Sequence, residues 1–432
     1  MDNKTLTKEL CSFIDNSPSM FHTAETSIKI LEQNGFTRLE DNKPWAIALN
    51  GKYYTEINHS CVIAFTINST NIVNEGFKIV GTHGDAPTFK IKPAPQISKD
   101  GYVMLNTEGY GGALLSTWFD RPLSIAGRVS TINNDNLLRP HSHLVNIDRP
   151  ILTIPSLAIH MNRDANNGHA IDKQKETLPL LTLSEKPASE NMLLDLIAKT
   201  LGIKVEEILD YDLYLYPYEK ALLVGLEEEL ISTARLDNLS MAYSALHSII
   251  NASSSKGINV YACFDNEEVG STTKQGAASP FLIRVLERIL VCLGFKNRED
   301  LFVALNNSFL VSADVAHLAH PNYMEKSDPT NKVLPGKGVA IKMSANQSYT
   351  SDSDSSAVFA GICQKNNVPY QKFVNRSDMR GGSTIGPIAT TQLGIRSVDI
   401  GTPMLAMHSA RELMTVDDYC YTVEAMQAFY NL

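Results

Sequence analysis

Two adjacent carboxylates, Glu267 and Glu268, close a run of β-branched, aromatic and small apolar residues that begins at Asn259. Such a run reads as a strand buried on both faces, and it ends abruptly in Asp265-Asn266-Glu267-Glu268 before Val269-Gly270-Ser271. In an α/β sheet, ligands gather outside the carboxyl ends of the strands. Neighbouring carboxylates there are costly unless a positive charge lies beside them, and a metal ion is the natural candidate. Glu268 is the candidate ligand, and Glu267, aimed differently by the turn, the candidate base. A solvated acidic turn has the same composition, so the chemistry depends on the company these residues keep.

Further segments supply that company. Residues 76–82 form a strand pattern running into His83-Gly84-Asp85. On extended backbone His83 and Asp85 project to the same side, where the acid orients the imidazole and raises its basicity. Asp237 precedes a helical pattern (Leu239, Ala242, Ala245, Leu246, Ile249), where the helix dipole favours its charge. It can serve there as a cap or as a carboxylate bridging two metal ions. The apolar run 309–313 ends at Asp314, with His317 and His320 following. Pro321 disfavours a continuing helix through them and leaves them as metal-site supports, substrate groups or buried caps. Residues 398–400 read as a strand, followed by a turn and then His408 ahead of a helix.

Taken together, two histidines (His83, His408) and three carboxylates (Asp237, Glu268, Asp314) are available as ligands, with Glu267 left free. One bridging carboxylate with a histidine and an acid on either side makes two tetrahedral-type N/O sites. Zinc suits such ligands, the sulfur-free set also admits manganese or cobalt, and a metal pair can clamp a water and a carbonyl together.

The elements that position these residues read as an α/β fold, a mixed central sheet flanked by helices. Helical patterns within residues 4–34 break at Asn16-Ser17-Pro18-Ser19, and Asn34-Gly35 closes the second of them. From about residue 93 to 233 the texture changes. Short β-like runs (123–129, 152–154, 157–159, 221–225), an exposed turn at 133–136 and an amphipathic helix over 190–202 lie between Pro/Gly-rich loops. This stretch reads as an inserted β-rich domain between a first catalytic part (1–92) and a second (234–432), since no ordinary loop is that long. Residues 351–356 lead into a helix from about Ala357. Gly381-Gly382-Ser383-Thr384 admits close backbone approach, yet no Gly-Lys-Ser/Thr marks a phosphate loop.

At 432 residues the chain exceeds one ordinary hydrophobic core, and 43% hydrophobic with 20% charged residues is globular composition. A net charge of −9 without a Lys/Arg run argues against nucleic acid as a partner. No apolar window reaches membrane-span length, the first residues lack a signal-peptide core, and six scattered cysteines form no CxxC pair. A cytoplasmic protein with reduced thiols is the expectation.

In order along the chain, His83-Gly84-Asp85-Ala86-Pro87, Thr117-Trp118-Phe119-Asp120-Arg121, Arg235-Leu236-Asp237-Asn238, Asp265 to Ser271, Ser312-Ala313-Asp314, Gly382 to Pro387 and Met407-His408-Ser409 with Arg411-Glu412 resemble the aspartyl aminopeptidase family of dinuclear zinc metallopeptidases. The resemblance covers essentially the whole chain. It implies removal of N-terminal residues, above all Asp or Glu, from peptides. It implies one ion at His83, Asp237 and Asp314, another at Asp237, Glu268 and His408, with Glu267 as general base and Asp85 as the partner of His83. It further implies a homo-oligomer, a tetrahedral dodecamer built from dimers, in which His160 of the insert reaches a neighbour's site. Lys342 matches a lysine that meets an acidic substrate side chain. Gly84 and Ala86 stand where Thr and Ser are expected, and Arg380-Gly381 where Pro-Cys is usual, which makes Arg380 a further candidate for substrate binding. A deacylase on the same metal centre and an aminopeptidase of neutral or broad specificity are the alternatives.

Overall fold

The computed structural model describes residues 2–185, 189 and 191–432. Its central nine-stranded sheet runs in the order Thr37–Arg38, Lys52–Ile57, Cys61–Ile67, Ile258–Phe264, Phe77–His83, Phe309–Ala313, Arg396–Gly401, Val339–Met343 and Tyr370–Val374. The four strands Ile258–Phe264, Phe77–His83, Phe309–Ala313 and Arg396–Gly401 are parallel neighbours, so their carboxyl ends open on one edge. Strands around them run antiparallel, which makes the sheet mixed as expected.

Alternation along these strands feeds two cores. Val80, Tyr261 and Val311 pack with the helices Asn3–Asp15, Leu236–Asn251 and Val416–Tyr430 on one face. Ile79, Val260 and Leu310 pack with Phe281–Cys292 and Arg298–Asn306 on the other. Side chains one residue apart point to opposite faces, so a strand covered on both sides is largely apolar. Each large aliphatic side chain buried this way is worth about 1.5–3 kcal/mol of transfer free energy.

A second, antiparallel sheet is built from His141–Asn146, Leu123–Thr131, Ile208–Pro217, Thr88–Lys99, Tyr102–Tyr110 and Leu180–Leu183, in that order. Leu193 and Ile197 of the helix Met192–Leu201 are buried in its core; Glu190, where that helix was expected to begin, lies outside the described residues. The strand Thr88–Lys99 carries the chain from the central sheet directly into this one. Leu222–Val224 and Leu230–Thr233 pair instead in a third sheet with Glu412–Thr415, Pro403–Leu405 and Ala316–His317.

Four local expectations are corrected. Residues 157–159 form no strand, for Leu157 is 58% exposed and lies against no ladder, while 152–154 make only isolated bridges to Leu123 and Leu180. His408 is not followed directly by a helix. A turn leads to the strand Glu412–Thr415, and the helix starts only at Val416, where Thr415 accepts from the Asp418 N–H. The helix expected near Ala357 begins at Ser353, because Asp352 accepts the Ser355 N–H at 2.8 Å as its cap. Among the described residues all six cysteines are free, and no helix is long and apolar enough to cross a membrane.

Candidate functional site

The parallel topology gathers on one edge the side chains that the strand ends carry. His83 is the last residue of its strand, Asp314 follows Phe309–Ala313, and Glu267 opens a short 3₁₀ turn just past Ile258–Phe264. Asp237 enters from the start of Leu236–Asn251, and His408 from the turn between Pro403–Leu405 and Glu412–Thr415. Arg235, Asn266 and His408 all adopt left-handed backbone, at φ 62°, 59° and 65°. Non-glycine residues rarely do so, and such turns concentrate at functional sites.

Asp237 lies at the centre. Its Oδ1 is 3.6 Å from His83 Nε2 and its Oδ2 is 3.2 Å from His408 Nε2. On the first side, His83 Nε2 is also 3.7 Å from Asp314 Oδ1; on the second, His408 Nε2 is 3.5 Å from Glu268 Oε2. Donor atoms around a tetrahedral zinc stand about 3.3 Å apart, given bond lengths near 2.0–2.1 Å. Two buried carboxylate oxygens here, Asp237 Oδ1 and Glu268 Oε1, have no hydrogen-bond partner. Buried anionic oxygens left unpaired are costly, and a cation resolves both, so the residues present fit a metal centre.

Both imidazoles are aimed by their other nitrogen. His83 Nδ1 lies 3.2 Å from the Asp85 carbonyl and 3.3 Å from Asp85 Oδ1. Asp85 is itself held, accepting from Tyr110 Oη at 2.7 Å and from the Glu267 and Glu268 N–H groups at 3.2 Å each. His408 Nδ1 donates to the Gly112 carbonyl at 3.1 Å, which leaves Nε2 facing the carboxylates. The neighbouring Gly111 sits at φ +71°, and a Cβ there would come within 3.1 Å of Glu268 Cβ. Only glycine gives both that conformation and that approach.

The charges are strongly interdependent. Burial pushes the Glu267 carboxyl up to about 8, and Asp314, Asp85 and Asp237 add to it against the opposing pull of His83. Glu268 is raised well above the usual range by burial and then by Asp237. Burial disfavours the His408 cation, yet Asp237 and Glu268 outweigh it and carry the ring to about 10. Asp314 is buried but held well below the ordinary carboxylate value by Lys342 and His83. This excess of carboxylate is the field a divalent cation balances.

The remaining expected residues are placed differently. Lys342 is only 2% exposed; its Nζ donates to the Val315 carbonyl at 3.1 Å and lies 3.6 Å from Asp314 Oδ2. His317 and Arg380 line one cavity of ≈ 270 Å³, with Phe373 against the His317 ring. His160 is exposed and meets none of these groups within the chain. Sequence reasoning missed Tyr110 and assigned nothing to Glu412. Tyr110 comes from the second sheet, and no local pattern links it to Asp85. Glu412, which is buried and pushed up to about 8 by burial and then by Asp237, lies in the stretch after His408 where a helix was expected.

A family model described as aminopeptidase I zinc metalloprotease (M18) matches residues 13–430. A probable M18 family aminopeptidase 2 from Clostridium acetobutylicum is 52% identical over 427 residues, covering 98% of each chain. A chain in the cryo-EM structure of the Ape4 and Nbr1 complex superposes with a TM-score of 0.94 at 36% identity, over 99% of this chain and 86% of that one. The S. cerevisiae mApe1 dodecamer follows with a TM-score of 0.85 at 28% identity, over 98% and 95%. The protein therefore belongs to the peptidase M18 family of aminopeptidase I zinc metalloproteases and is a metallo-aminopeptidase, a peptide hydrolase.

Proposed function

We propose that the centre is dinuclear, with His83, Asp237 and Asp314 holding one ion and Asp237, Glu268 and His408 the other. The observation that carries this is the opposed aim of the two histidines at opposite oxygens of Asp237. Zinc is the expected metal, with manganese and cobalt as alternatives. When bound, a metal pair lowers the pKa of a water and polarises a carbonyl.

Glu267 then acts as general base, taking the proton of the attacking water and returning it to the leaving amine. Its environment favours proton uptake, since burial and the surrounding acids raise its affinity for one. Asp85 keeps His83 oriented and, through the N–H groups of both glutamates, sets the turn that carries them. Peptides with free N-termini should be cleaved and their N-acetylated counterparts spared. Hydrolysis of the blocked peptides at equal rates would favour a deacylase instead.

The preferred N-terminal residue is proposed to be Asp or Glu. With Asp314 engaged by an ion, the buried Lys342 keeps Asp399 as its neighbouring acid and can still face an acidic side chain, and Arg380 makes no ion pair among the described residues. Lys342→Met should lower the Asp-over-Leu ratio in kcat/KM by roughly 2–5 kcal/mol, the cost of stripping a partner from a buried charge. Arg380→Ala should lower it less, being exposed. A wild-type preference for Leu that neither substitution changes would remove the acidic specificity and leave the aminopeptidase.

Stability should depend on metal and pH together. Glu267, with an ordinary value of 4.5, is raised to about 8, and His408, ordinarily 6.5, to about 10. A raised folded-state value stabilises below the unfolded value and is lost as pH rises through the folded one. The metal-free protein should therefore weaken from about pH 5 upward, while zinc binds the deprotonated ligands more tightly. The rise in Tm on adding zinc should be larger at pH 8 than at pH 6, measured by calorimetry; an equal or smaller rise would contradict it.

The proposed assembly is a tetrahedral dodecamer of dimers, as one structural relative is a dodecamer. Leu138, Leu157 and Met161 on the insert, 93%, 58% and 72% exposed, are surfaces a second copy would cover. His160, beside them, is proposed to serve a neighbouring subunit. The proposed setting is cytoplasmic, in keeping with the free cysteines.

A further inference from the structure

We infer that Glu412 is a positioning residue that locks the bridging carboxylate and His408 into one geometry, so that the ion held by Asp237, Glu268 and His408 depends on it. The inference rests on the dinuclear reading above. Glu412 is 2% exposed and opens the strand Glu412–Thr415, whose ladder partner Leu230–Thr233 leads directly toward Asp237. One carboxylate oxygen, Oε2, accepts the backbone N–H of Asp237 at 3.1 Å. The other, Oε1, accepts the backbone N–H of His408 at 2.7 Å. A single side chain therefore ties together the main chains of two ligands that lie far apart in sequence.

Neither N–H has a ladder to join. Asp237 sits at the irregular start of its helix, with φ −79° and ψ 105°, and His408 stands in left-handed backbone at φ 65°. Without an acceptor the Asp237 N–H would be a buried orphan donor and the His408 N–H a part-buried one, and the His408 turn would lose one of its ties. Other ties include the Leu114 N–H to the His408 carbonyl at 2.8 Å, the Ser409 N–H to the Ala406 carbonyl at 3.0 Å, the Ala410 N–H to Thr117 Oγ1 at 2.8 Å and His408 Nδ1 to Gly112. The first side of the centre depends on Glu412 less, through Asp237 alone, because His83 is fixed within a central strand and aimed by Asp85.

The requirement is for two acceptors on one rigid group. Glutamine matches the shape of glutamate but offers one oxygen and turns an NH₂ toward the second donor. Aspartate keeps the charge and both oxygens but is one methylene shorter. Loss of such a support typically lowers metal affinity about 10–100-fold. Glu412 acts through the backbone of ligands and is not itself counted among them.

The test is a zinc titration of the metal-stripped chain against a competing chelator, for wild type, Glu412→Gln, Glu412→Asp and His408→Ala. Circular dichroism of each apo-protein establishes that it is folded. Wild type should take up two ions. Glu412→Gln should bind one ion about 10–100-fold more weakly and the other with a clearly smaller loss, with Glu412→Asp showing the same asymmetry. If Glu412→Gln does not fold, Glu412→Asp carries the comparison. His408→Ala should lose one ion outright. Two ions at wild-type affinity in the folded Glu412 variants, or equal weakening of both, would overturn the positioning role. Two undisturbed ions in His408→Ala would instead remove His408 from the ligands, and a single ion in wild type would overturn the dinuclear reading on which the inference rests.

Discussion

Glu267→Gln should keep its fold and its metal and lose turnover by several orders of magnitude. The Glu267 Oε2 atom comes no closer than 3.9 Å to His83 Nε2, the longest of the contacts that imidazole makes with a side-chain carboxylate here. Glu268, by contrast, faces His408 at 3.5 Å and is nearly closed to solvent. The amide is isosteric with the carboxylate but cannot take a proton from water. General-base catalysis alone contributes about 10²–10⁴-fold, and loss of water activation adds to this. Glu268→Gln should show the converse pattern, in which metal is lost first and activity follows. Steady-state kcat with elemental analysis on both variants separates the two roles. A Glu267→Gln enzyme of near-normal activity would remove Glu267 from the chemistry.

Asp237→Asn should empty both sides of the centre at once. Asp237 is the residue whose two oxygens approach both imidazoles, one at 3.6 Å and one at 3.2 Å. Asparagine would present an amide NH₂ to one of the two ions, a group that does not ligate, and it would remove the negative charge that two cations share. Both zinc affinities should fall by at least about two orders of magnitude, beyond the 10–100-fold cost of losing a support outside the ligand set. Activity should fall below detection. The outcome should differ in kind from His408→Ala, which touches one side only. Retention of one tightly bound ion in Asp237→Asn would argue that the carboxylate does not bridge.

Much of the site was legible because its chemistry lies where buried strands stop. His83, Asp314 and the Glu267-Glu268 pair each interrupt an apolar run, and a charge at that position is conspicuous against Val, Ile and Ala. The central strands could be read for the same reason, since burial on both faces leaves them mostly apolar, with only Lys78, Thr82, Asn259 and Ser312 as polar residues before the strand ends. What could not be read was set by tertiary contact. The left-handed turns at Arg235, Asn266 and His408 carry no glycine to betray them. Tyr110 reaches Asp85 from a different sheet. Lys342 was expected to meet an acidic substrate side chain, and its contacts with Asp314 and the Val315 carbonyl appear only once the strands are side by side. Residues 157–159 show the opposite failure. Leu157 and Ile159 are apolar enough for a strand, but with no partner within the chain they stay exposed. The helix expected after His408 failed because Glu412 turns inward to two backbone donors and begins a strand.

The central claim is that two ions at one bridged centre cleave the N-terminal residue from a peptide. It is tested most directly by restoring zinc stepwise to the metal-stripped enzyme and following hydrolysis of a peptide with a free N-terminal Asp. Activity should stay near zero through the first equivalent per chain and rise to its plateau across the second. Full activity at one equivalent, or activity that survives complete removal of metal, would contradict the account.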